Sequence, residues 1–201
     1  MQPEAPSEAE AQSSRAAPKF HSIWVFLIID SVSFALFFLV FMVERLGQPE
    51  VFSQSARQLS EGFGLLNTAI LITGSWLVAL AVVSARQGDG NKTRRHLIAA
   101  IAVSSGFAVV KAIEYTTKVS AGITPLTNDF FTFYYAITGF HLFHYLLGMG
   151  ALCFLVNATP RIAAGDERSR SWLEAGALFW HLVDLLWIYI FAMLYLLGVQ
   201  S

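Results

Sequence analysis

From Ser22 onward the chain alternates long apolar runs with short polar ones. Five runs stand out, at residues 22–43, 65–85, 96–117, 130–156 and 172–197. Each is close to the roughly 20 residues that a membrane-crossing helix needs, and the last two exceed it enough to tilt or protrude. The pattern predicts an all-α polytopic membrane protein with five transmembrane helices. Residues 1–20, rich in Ala, Ser, Glu, Gln and Pro, have little to bury and read as a disordered tail. Residues 21–201 read as one membrane domain. The first apolar run is too long for the core of a signal peptide, and no A-x-A exit follows it. Asn128 and Asp129 are placed to cap the fourth helix, with Pro125 in the turn ahead of it.

The polar connections carry an orientation signal. Arg15 and Lys19 precede the first helix, Arg86, Lys92, Arg94 and Arg95 follow the second, and Arg161, Arg168 and Arg170 follow the fourth, nine cations on one side. Arg45, Arg57 and Lys118 make three on the other. Cations accumulate on the cytoplasmic side, which predicts a cytoplasmic N-terminus and a C-terminus outside. The connection at residues 44–64, with Pro49, Phe52 and Leu59, reads as a segment along the outer interface. No internal repeat is visible, which counts against an inverted-repeat transporter.

Composition narrows the class. The chain is 55% hydrophobic and only 13% charged, against about 25% charge in soluble domains. A net charge of −1 gives no electrostatic basis for binding nucleic acid. The single cysteine, Cys153, leaves no internal disulfide and no paired-cysteine metal knuckle. Neither a phosphate-binding loop, an HExxH zinc motif nor a complete GxGxxG occurs.

The informative residues are the ionisable ones at membrane depth. Asp30 lies in the first helix, Lys111 and Glu114 in the third, His141 and His144 in the fourth, and His181 and Asp184 in the fifth. An isolated charge at mid-bilayer costs roughly 2.5–3.5 kcal/mol on insertion scales, so these groups need partners. Lys111 and Glu114 are spaced to pair on one helical face. His141 and His144 share another face, with Gly139 and Gly148 on either side to admit a neighbouring helix. Helices four and five are expected neighbours, which suggests a cluster of His141, His144, His181 and Asp184. Three roles compete for it. Interhelical polar contacts hold membrane helices together. Histidines on adjacent helices, His141 or His144 with His181, also ligate haem, and such spacings hold divalent metals. Asp30, with no local cation, is a proton-carrier candidate, or else a neutral acid held in a hydrogen bond. The aromatics have a simpler reading: Trp24, Trp172 and Tyr195 near helix ends form an interfacial belt, and Trp180 and Trp187 pack.

The same stretches resemble a known family. TGFHLFHYLLG and FWHLVDLLWIYIFAMLYL, with WVFLIIDSVSFALFF, LLNTAILITGS and EYTTKVSAGITPLTNDFFTFYY, follow in order the motif blocks of subunit III of haem–copper respiratory oxidases. The resemblance runs from about His21 to Leu197 and implies the five-helix form, without two N-terminal helices of longer members. Asp30 stands where a Glu is usual, and Lys111 where an uncharged residue is usual. With the FSQSARQLSEGFGLLNTAILITGSW stretch, these departures look closest to the nitric-oxide-reductase-associated branch.

What the resemblance implies is an accessory role. Such a subunit has no catalytic residue and no haem, copper or other metal of its own. It packs against the haem-bearing catalytic subunit of an oxidase or reductase in the bacterial inner membrane, holds structural phospholipid, and sustains turnover. Carried over by position, Asp30, Glu114, His141, His144, Glu174, His181 and Asp184 form its buried polar core.

Overall fold

A computed structural model of the protein describes residues 19–196. Most of the tail expected at residues 1–20, and the last residue of the fifth predicted helix, lie outside the described residues. The elements in chain order are α1 (Lys19–Gly47), the short α2 (Pro49–Ala56), α3 (Glu61–Arg86), α4 (Gly90–Ser120), α5 (Asp129–Ala163) and α6 (Glu167–Phe191). A π-helical turn, Ala192–Leu196, continues α6. All except α2 are long and apolar enough to cross a membrane. The chain is a polytopic membrane protein.

Helices α4, α5 and α6 start ahead of the apolar stretches, each with a polar side chain capping its first turn. Asn128 Oδ1 accepts from the backbone N–H of Phe131 at 3.0 Å to start α5. Two connections repeat one device. Gly88 and Gly165, at φ of 76° and 86°, take the left-handed conformation that stops α3 and α5. The next residues, Asp89 and Asp166, cap the first turns of α4 and α6 by accepting from the N–H groups of Lys92 and Ser169. Each connection therefore reverses the chain within three residues, Gln87 to Asp89 and Ala164 to Asp166. Pro160 sits in the last turns of α5 without breaking it: the Val156 carbonyl, deprived of an N–H from Pro160, accepts from Thr159 Oγ1 at 2.7 Å.

Helices α3, α4, α5 and α6 form a bundle, each packed on its chain neighbour, with α6 returning to α3. Helix α1 lies outside, chiefly against α6 and α5; it is the least enclosed of the five, and α6 the most. Glycines set the closest approaches. A Cβ on Gly148 would lie 2.9 Å from the Trp180 ring, and one on Gly64 2.6 Å from Phe191. Gly139 does not admit a helix in this way, since nothing lies within 4 Å of its Cβ position.

Residues 44–64, expected along the outer interface, bury apolar side chains against the bundle. Pro49 starts α2, and Phe52, 1% exposed, packs edge-on to Phe41 and Phe130 at 5.3 and 5.7 Å. Lys118 Nζ donates to the Gln58 carbonyl at 2.8 Å, and Asn128 Nδ2 to Ser55 Oγ at 2.9 Å. The segment thus folds over the end of the bundle.

Candidate functional site: the buried polar core

Lys111 and Glu114 project from α4 into the bundle and are 1% and 2% exposed at their side chains. Lys111 Nζ lies 2.9 Å from Glu114 Oε2, 3.1 Å from Tyr134 Oη and 3.0 Å from Tyr195 Oη. An ammonium has three protons, so every one meets an oxygen. Tyr195 in turn donates to Glu114 Oε1 at 2.7 Å. The rings of Tyr115, Tyr134, Trp187 and Tyr195 surround Nζ at 4.8–5.7 Å from their centroids, a further attraction for a cation. Tyr195 comes from the π turn and is fully buried. It is therefore not part of an interfacial belt, where its place near a helix end pointed; Trp24 and Trp172 do remain exposed.

His144 turns away from its helical neighbour His141 and meets Asp30 of α1, Nε2 to Oδ1 at 2.8 Å. Its Nδ1 is 2.8 Å from the Phe140 carbonyl. A carbonyl only accepts, so Nδ1 carries a proton. Nε2 then either accepts from a protonated Asp30 or, in the imidazolium, donates to the carboxylate. Either way the pair is neutral overall, which limits the penalty of burial. Both nitrogens are engaged, so His144 has none left for iron. Phe34, Phe140 and Phe143 enclose the ring.

His181 of α6 pairs with α3 instead of α5: its Nδ1 is 2.5 Å from Ser75 Oγ. Asp184 is buried one turn further along α6. His141 is wholly buried and packs against the rings of Phe107 and Trp187 at 5.6 and 5.3 Å. The four residues expected to cluster between α5 and α6 thus do not meet as one group: His144 bonds Asp30, His181 and Asp184 both face Ser75, and His141 packs among rings. Glu174 lies outside the buried core. Near the start of α6 its side chain is 36% exposed and bonds Arg86 Nη2 at 2.9 Å, which ties α6 to the end of α3. Among the described residues, no three His, Cys, Asp or Glu side chains form a group that could hold a metal ion.

The partners that sequence reasoning passed over are hydroxyls: Tyr134, Tyr195, Ser75 and Tyr145, whose Oη donates to the Ser104 carbonyl at 2.8 Å. A serine is cheap in a membrane helix, where its hydroxyl can bond its own backbone as Thr68 does to Gly64, and a tyrosine there reads as one more apolar ring. Their spacing therefore carries no signal.

The geometry holds helices together with polar contacts, and comparison with known proteins places it. The family model for cytochrome c oxidase subunit III matches residues 21–199. The chain belongs to that family. It is 27% identical over 173 residues to cytochrome c oxidase subunit 3 of Thermostichus vulcanus, covering 86% of this chain and 84% of that one. It is 26% identical over 180 residues to cytochrome bo(3) ubiquinol oxidase subunit 3 of Pseudomonas aeruginosa, covering 87% and 83%. A third relative, haem–copper oxidase subunit I+III of Aeropyrum pernix, is 26% identical over 189 residues, 87% of this chain but 22% of that longer one. As a subunit III family member, the chain is a polytopic membrane protein consistent with a bacterial inner-membrane respiratory complex.

Proposed function

We propose that this protein is a non-catalytic subunit of a haem–copper oxidase-type complex that stabilises the haem-bearing catalytic chain. The observation that carries the reading is how its membrane-depth ionisable groups are used. Lys111 and Glu114 of α4 bond Tyr134 of α5 and Tyr195 of the π turn, Asp30 of α1 pairs with His144 of α5, and His181 of α6 with Ser75 of α3, so they join helices to one another. The Aeropyrum pernix relative supports a catalytic partner, because its name joins subunits I and III in one polypeptide. In this reading Asp30, Glu114, His141, His144, His181 and Asp184 are the structural polar core of the membrane domain, residues 21–201. Glu174 is a peripheral tie, and structural phospholipid is part of this reading.

Two finer features belong to the proposal. The nine-to-three distribution of loop cations supports a cytoplasmic N-terminus and an outside C-terminus. Asp30 and Lys111 support a place in the nitric-oxide-reductase-associated branch, where the partner reduces nitric oxide.

The test is affinity isolation in a mild detergent from cells that make such an enzyme. Co-isolation of a larger haem-bearing chain, with nitric oxide consumption exceeding oxygen consumption, is the expected result. Isolation of the protein alone, or a Soret band from the lone chain that His181→Ala removes, would overturn the accessory role. Oxygen consumption by the complex would overturn only the branch.

A further inference from the structure

The tie between α3 and α6 leaves one polar atom over. His181 Nδ1 lies 2.5 Å from Ser75 Oγ, and the Asp184 carboxyl faces the same hydroxyl. A serine hydroxyl has one proton. If Ser75 gives it to Asp184, Nδ1–H donates to Ser75 and Nε2 presents a lone pair. If a protonated Asp184 donates to Ser75, Ser75 donates to Nδ1 and Nε2 presents an N–H. Either way Nε2 has an unmet hydrogen bond, and no group among the described residues answers it. His181 is only partly buried, and its Nε2 is not sealed in the interior as both nitrogens of His141 are.

This atom sits at the depth where an unmet group costs most. His181 is midway along Glu167–Leu196, and Ser75 is near the middle of Glu61–Arg86. At 1.5 Å per residue, about 20 Å of helix separates His181 from either end. Lipid tails offer no hydrogen bond there. Exposed hydroxyls on these helices need none from outside: Thr73 donates to the Ala69 carbonyl at 2.7 Å, and Ser105 to that of Ala102.

Trp76, next to Ser75, repeats the anomaly. It is 61% exposed in the middle of α3, whereas tryptophans that face lipid gather at the headgroup level. Its indole N–H has no partner among the described residues. Ile72, Leu185 and Ile188 are exposed as well. Helical spacing sets Ile72 beside Trp76 on α3, and Leu185 and Ile188 beside His181 on α6.

We propose that this α3–α6 seam is the docking surface for a transmembrane helix of the haem-bearing catalytic chain, with a polar side chain of that helix bonded to His181 Nε2 and Trp76 as the anchor. The inference rests on the accessory-subunit reading. A helix seated there buries Trp76, as tryptophan anchors of interfaces are buried, and pairs Nε2 with an interhelical hydrogen bond. A lipid tail does neither.

The test uses the complex isolated in mild detergent, with a photo-crosslinking benzoylphenylalanine at one position of the full-length chain. Placed at Ile72 or Leu185 it should crosslink to the haem-bearing chain. Placed at Val109 or Ile113, exposed on α4, it should not. His181→Asn keeps a polar atom where Nδ1 meets Ser75 and removes Nε2. This variant and Trp76→Leu should leave the melting temperature of the lone chain unchanged, yet each should release the chain from the complex about tenfold more readily. Three results would overturn the surface and leave the accessory role standing: crosslinks from α4 in place of the seam, seam crosslinks only to lipid or to a second copy, or a complex that holds both variants as firmly as the unaltered chain. Failure of the unaltered chain to co-isolate with any haem-bearing chain would overturn the accessory role, and the surface with it.

Discussion

His144 and Asp30 meet at 2.8 Å across the interface between α5 and α1, both about 6% exposed at their side chains. The contact is the buried polar tie of the least enclosed membrane helix, and the pair is neutral in either proton arrangement. Replacing Asp30 with Leu leaves His144 Nε2 buried without a partner. The expected loss is about 1–3 kcal/mol, read as a lower melting temperature in detergent. Hydrogen exchange should rise in α1 and α5 more than in α3 and α4; a uniform change would deny the tie.

The Lys111–Glu114 pair makes a sharper prediction. Lys111→Met strands a carboxylate that is 2% exposed, and breaking a buried pair from one side costs roughly 3–5 kcal/mol. Lys111→Met with Glu114→Gln should recover much of that loss. A double variant as unstable as the single one would show that the hydroxyl cage of Tyr134 and Tyr195 matters more than charge.

Close helix approach can be tested with one methyl group. Gly148→Ala puts a Cβ 2.9 Å from Trp180, and Gly64→Ala one 2.6 Å from Phe191, overpacking that costs roughly 1–3 kcal/mol. Gly139→Ala and Gly150→Ala meet nothing within 4 Å and should be neutral or, through helix propensity, stabilising by up to about 1 kcal/mol. Melting temperatures of the four variants give the order directly.

Strong acid should loosen the Gly-Asp turns. The backbone N–H of Lys92 holds the Asp89 carboxyl below the usual carboxylate range, and the Ser169 side chain does the same for Asp166. A lowered folded value means the caps stabilise fully above the unfolded pKa of 3.8, and that this stabilisation fades as pH falls through the folded value. Exchange of the Ser169 amide should accelerate over that acidic range, and Asp166→Asn should flatten the dependence.

The site was legible in the sequence wherever its partners are close along the chain. Lys111 and Glu114 lie three residues apart on one helix, so their spacing alone suggests contact. Ser75 and His181 are 106 positions apart, and nothing local distinguishes that serine from Ser84 or Ser104. Tyr195 was misplaced for a related reason: an aromatic near a helix end suits an interface, unless a π turn rotates it inward over Glu114.

Five long apolar runs settled the number of membrane helices, because satisfying the backbone inside a membrane is a local requirement of length and composition. Their identity as a subunit III chain was equally readable in the order of the motif blocks. Which polar side chain of one helix meets which of another was decided by tertiary packing alone. Hydrogen bonds act over about 3 Å, and only the arrangement of α1 and α3 around α6 and α5 brings Asp30 to His144 and Ser75 to His181.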